Sequence, residues 1–142
     1  MLNRLLQKLK TEAPRTDPAA QQRLAAAVLL FEMARADYEQ QPSEHDALRD
    51  GLIKDFGVPE ATVDALLAQA EVRARHSVSL YEFVTMLNAT MDLEGKRALL
   101  QLLWKVAFAD GKIDPHEEHL LRRLADLLHL SHADFIRGKL AN

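Results

Sequence analysis

Carboxylates crowd residues 110–118, where Asp110, Asp114, Glu117 and Glu118 stand around Gly111 and Pro115. Oxygen ligands at that density suit hard cations such as calcium and magnesium. The spacing is not that of an EF-hand. Counting from Asp110, the sixth position is Pro115, where the sharp turn needs Gly, and the twelfth is Leu121, where the loop needs a bidentate Glu. A second use competes for the same groups: Asp114 before Pro115, with Glu117 three residues on, has the pattern of a helix-capping box. Acidic side chains in a first turn are also favoured by the helix dipole. From the residues themselves, capping alone and capping combined with weak cation binding both stand.

His116 and His119 lie one helical turn apart with Glu117 and Glu118 between them, which is a possible pair of transition-metal ligands. The zinc-protease pattern differs, since its two His stand four apart with Glu directly after the first. Surface histidines on a charged helix are the simpler reading, and a metal-dependent hydrolase is the weakest of the functional alternatives. The glycines at 51, 57, 95, 111 and 138 are scattered singly, so neither a nucleophile elbow nor a phosphate-cradling loop is present. No catalytic residue is assigned, and the chain is expected not to be an enzyme. Trp104 and Phe108 share a helical face at four-residue spacing, read first as core and second as a ligand or partner groove.

The elements that carry these residues read as helices throughout. Leu2, Leu5, Leu6 and Leu9 recur at three- and four-residue intervals, predicting a short amphipathic helix that Pro14 ends. Asp17-Pro18 starts a helix through Leu24, Val28, Phe31 and Met33 to about Asp37. Pro42 begins another, with Leu48, Leu52, Ile53 and Phe56, closed at Gly57. Pro59 opens a third, with Val63, Leu66, Leu67 and Ala70. Ser79 with Glu82 predicts a capping box ahead of Phe83, Val84 and Leu87. Leu99, Leu102, Leu103, Val106 and Ala107 make a strongly apolar helix, Asp114-Pro115 restarts the chain through Leu121, Leu124 and Leu128, and Ser131 with Asp134 begins the last helix. Sustained two-residue alternation is missing, so the class is all-α, a compact bundle of about seven to eight helices.

At 142 residues, with 48% hydrophobic and 27% charged side chains, the chain has the size and composition of one globular domain. With zero Cys, thiol catalysis, cysteine-zinc sites and disulfides are excluded. The longest apolar run, residues 24–31, is too short to cross a bilayer, and Leu alternates with Arg and Lys in residues 1–10, which is not the pattern of a signal peptide. A cytoplasmic protein, or one peripheral at the inner face of the membrane, is expected. Net charge is +3 over residues 1–16, −7 over 17–72 and +1 over 73–142. Without a basic face, nucleic acid is not an expected partner. The basic stripe at residues 1–10 suits docking on the bundle, on another subunit or on an anionic membrane surface, of which docking on protein is preferred.

Residues 29–49 align on 102–122 without a gap and agree at nine of twenty-one positions, including Asp37/Asp110, Pro42/Pro115, Glu44/Glu117 and Arg49/Arg122. With one gap, residues 58–63 fall on 130–135. The unit is helix, acidic turn, helix, helix, which predicts two pseudo-symmetric three-helix repeats, at about 24–70 and 97–140, within a domain of residues 17–142 that follows an N-terminal helix and linker at 1–16.

The run from Leu103 through Trp104, Ala107, Asp110, Gly111, Asp114, Pro115 and Glu117 to Arg122 resembles the TerB-like proteins, named for tellurite resistance, and the related N-terminal domain of the membrane-bound DjlA co-chaperones. The resemblance covers most of residues 24–140 and implies a compact all-α fold with pseudo-symmetric halves. It implies association with tellurite- and stress-resistance operons and with complexes near the membrane, and no enzymatic activity. It also implies a divalent-cation site (calcium, magnesium or zinc) of acidic residues at the helix turns, a role it carries onto Asp110 and Glu117, with Asp114 beside them, and through the repeat onto Asp37 and Glu44. The first copy departs from the pattern, with Tyr38 in place of Gly111 and Gln41 in place of Asp114. The expected function is a non-catalytic interaction module whose acidic face binds a partner protein or a divalent cation, with a peripheral membrane adaptor acting through residues 1–10 as the alternative.

Overall fold

The computed structural model describes residues 17–35, 42–76, 79–109 and 111–141, with backbone alone at 42–44. The expected helix and linker at 1–16 lie outside the described residues. Seven helices are described: α1 (Pro18–Arg35), α2 (Pro42–Lys54), α3 (Glu60–His76), α4 (Tyr81–Thr90), α5 (Leu93–Ala107), α6 (Pro115–Leu127) and α7 (His132–Leu140). The described residues contain no strand, in agreement with the all-α reading.

α1 begins as its residues dictate. The Asp17 carboxylate accepts from the Ala19 N–H at 3.1 Å, its carbonyl accepts from the Gln21 N–H at 3.0 Å, and Pro18 sits where no amide is needed. From Ala25 to Phe31 every side chain is buried, and Met33 and Ala34 follow. A helix that is apolar all round belongs in the middle of a bundle. α1 accordingly packs against α2, α3, α4, α5 and α6. α5 forms the second spine, packed on α1, α2, α6 and α7, with Leu99, Leu100, Leu102, Leu103, Trp104, Val106 and Ala107 buried.

The corners follow local chemistry. Gly57, after α2, and His129, after α6, both have positive φ, 65° and 61°. The next residues, Val58 and Leu130, are buried. α4 starts one residue later than its sequence suggests. Leu80 takes the N-cap position without a side-chain bond, and the Ser79 hydroxyl accepts from the Tyr81 N–H at 2.9 Å. α5 is capped by Asp92, whose carboxylate accepts from the Gly95 N–H at 2.7 Å, a start signal the sequence reading did not use.

α7 is tied to the bundle by charge as well as packing. Ser131 and Asp134 form the capping box, and the buried Asp134 carboxylate also accepts from Arg97 of α5 at 3.0 Å and from Arg137 at 3.4 Å. Burial opposes the charge on Asp134, but the hydrogen bonds from the Ser131 hydroxyl and amide, together with Arg97, outweigh it and hold the carboxyl below its ordinary value. A depressed folded-state pKa stabilises the fold above the unfolded value, near 4, and that contribution is lost as pH falls through the folded value. Asp134→Asn is therefore expected to cost about 2 kcal/mol at pH 7, with the gap to wild type closing below about pH 4. Urea melts at stepped pH measure this, and a gap constant down to pH 2.5 would refute it.

Candidate functional site

The acidic turn lies between the end of α5 and the start of α6. α5 stops at Phe108, whose N–H still donates to the Trp104 carbonyl at 2.9 Å. Gly111 then donates to the Phe108 carbonyl at 2.8 Å and adopts φ +85°, a left-handed conformation that suits a residue without a side chain. Asp114 is the N-cap of α6, with Pro115 at the first position. One oxygen of Asp114 accepts from the His116 N–H at 2.7 Å, and Glu117 reaches back to accept from the Asp114 N–H at 3.3 Å. Glu117 is only 1% exposed, on the face of α6 that also buries Leu121, Leu124 and Ala125. Glu118, the next residue, pairs with Lys139 of α7 at 2.7 Å.

The capping reading of Asp114 and Glu117 is thus realised. Asp110 and Asp37 lie outside the described residues, as does the side chain of Glu44, so the structure brings together two of the five residues singled out as cation ligands. Among the described residues no group of three or more His, Asp or Glu is gathered as a metal site. His116 and His119 are exposed on α6. Asp114→Ala removes a cap whose worth is typically about 1 kcal/mol. It is expected to lower the thermal midpoint by about 3 °C, and an unchanged melt would show that Glu117 holds the turn alone.

Below the turn the aromatic pair is core. Trp104 is fully buried, stacked on Phe108 at 5.7 Å between ring centroids and tilted against Phe135 at 5.1 Å. Arg122 of α6 lies over the outer face of Phe135, 5.1 Å from its centroid. The end of α5, the start of α6 and α7 are therefore one packed unit that fixes where the acidic turn sits.

Sequence reasoning missed a groove on the other side of the bundle, between α1, α3 and α4, with a volume near 790 Å³. Leu24, Leu66, Phe83 and Met86 line it, and Val72 stands half-exposed at its edge. The apolar spacing of each helix was legible, but nothing local to one helix says which part of its face a neighbour leaves uncovered.

A family model described as tellurite resistance protein TerB matches residues 23–140, from the second turn of α1 to the end of α7. No curated protein and no solved structure matches the chain.

Proposed function

The chain belongs to the tellurite resistance protein TerB family, and from that premise we propose that it is a non-catalytic binding module of stress resistance whose acidic turn between α5 and α6 receives a divalent cation. The observation that supports this reading is the rigid placement of Asp114 and Glu117 at the start of α6, over a core of Trp104, Phe108 and Phe135. A carboxylate has about four acceptor sites on two oxygens, and the cap at Asp114 takes amide hydrogen bonds from His116 and from the third helical position. Asp110 stands in the same turn by sequence, and Asp37 and Glu44 complete the set through the repeat. A hard cation held there would tie the two halves of the bundle together and present a charge-altered surface to a partner protein.

Calorimetric titration of the chelator-stripped chain with calcium, magnesium, manganese and zinc tests this, repeated on Asp110→Asn, Asp114→Asn. The amide variants keep the shape and part of the capping capacity of the carboxylates while removing their charge. Saturable binding that the double variant loses is the expected result. Absence of binding in the wild type would leave these groups as caps on an acidic docking surface. The described helices include none long and apolar enough to cross a membrane, and the membrane-adaptor alternative rests on residues 1–10, outside the described residues.

A further inference from the structure

The groove between α1, α3 and α4 is a cavity of ligand size with an apolar floor. One of its walls is the first two turns of α1, where Ala20 and Leu24 face it. The described chain starts at Asp17, immediately before that wall. The sixteen residues that precede it carry the stripe Leu2, Leu5, Leu6 and Leu9, with Arg4, Lys8 and Lys10 on the other faces.

We propose that this groove is the seat of the chain's own residues 2–9, docked leucine face down. The dimensions fit. As a helix, the stripe from Leu2 to Leu9 is about 11 Å long, and the connecting residues 10–16 extend to about 25 Å at most, so the segment reaches every part of a groove whose wall it adjoins. A tether this short holds the segment at an effective concentration in the millimolar range, far above that of a second copy under ordinary conditions. Charge makes no demand on the docked face: residues 2–9 carry Arg4 and Lys8 off the leucine stripe, and the charged residues that line the groove are Arg23, Arg73 and Glu82. Arg23 and Arg73 at the rim require that Arg4, Lys8 and Lys10 point to solvent, as they do when the leucines point inward.

The chain has no Cys, so Gln7→Cys gives a single attachment point for a nitroxide on the face opposite the leucines. In the full-length isotope-labelled protein, the amide signals of residues 66–73 and 83–86 are expected to be lost through paramagnetic broadening. They should return when Leu5→Asp, Leu6→Asp is added, a change outside the described core. Broadening on another face, or none, overturns the proposal. Persistence of the broadening in the Leu5→Asp, Leu6→Asp variant also overturns it, since tethering alone would then explain the proximity. Broadening that appears in a mixture of nitroxide-bearing unlabelled chain and unmodified isotope-labelled chain, and strengthens with concentration, would assign the groove to a second copy instead.

Discussion

Trp104→Ala is expected to destabilise the fold by about 4 kcal/mol, near the top of the range for large-to-small core changes. The indole is fully buried and is the joint between α5 and α7, touching Phe108 and Phe135 as neighbours on either side. Nothing nearby is free to collapse into the void. Phe108 begins the acidic turn, and α7 is a nine-residue helix with little stability of its own. With total stability of about 5–15 kcal/mol for a domain of this kind, the variant approaches the threshold of folding. Trp104 is the single tryptophan, so urea melts should be followed by circular dichroism. Trp104→Phe sharpens the test. The indole N–H is buried and has no acceptor among the described residues, so the smaller ring gives up volume but also removes a polar group that gains nothing. Its cost is expected to be under half that of the alanine. Equal costs would mean that the N–H is satisfied in solution and that the ring matters mainly for its donor.

The second large effect is expected at Gly138. A β-carbon built there overlaps the Trp104 indole, a rigid aromatic edge with no flexible end to swing aside. α7 lies against α5 at this distance because residue 138 has no side chain. Gly138→Val is expected to cost about 3 kcal/mol, at the upper end for overpacking, despite the better helix propensity of Val. If the cause is the clash, Trp104→Phe in the same chain should recover part of the loss. A double-mutant cycle then shows coupling above about 0.5 kcal/mol, and additive effects would place the cost elsewhere.

Most of the fold was legible because its signals are local. Asp17-Pro18, Asp114-Pro115 with Glu117, and Ser131 with Asp134 announce helix starts in three or four residues, and all three caps are formed. The family resemblance rested on the residues between Leu103 and Arg122, and the family match covers them. What the sequence hid is what depends on distant partners. Arg97 and Asp134 are 37 residues apart, and neither position announces the other. The groove is invisible for the same reason, since it is defined by what α1, α3 and α4 fail to cover. The Ser79 box misled because Leu80 turns toward the core and takes the capping position itself. At the acidic turn the sequence named both uses of Asp114 and Glu117, and the caps are formed in the fold.

The central place of α1 also bears on how the protein is made. Its partners include α6, which ends at Leu127, some 90 residues after Arg35. At synthesis rates of about 5–20 residues per second, roughly 5–20 s pass between completion of α1 and completion of the last helix that covers it. For that interval the longest of the described helices, with its unbroken run from Ala25 to Phe31, has no finished cavity to enter. The segment best hidden in the folded bundle is thus the one most available to holding chaperones, and to self-association, while the ribosome is still at work.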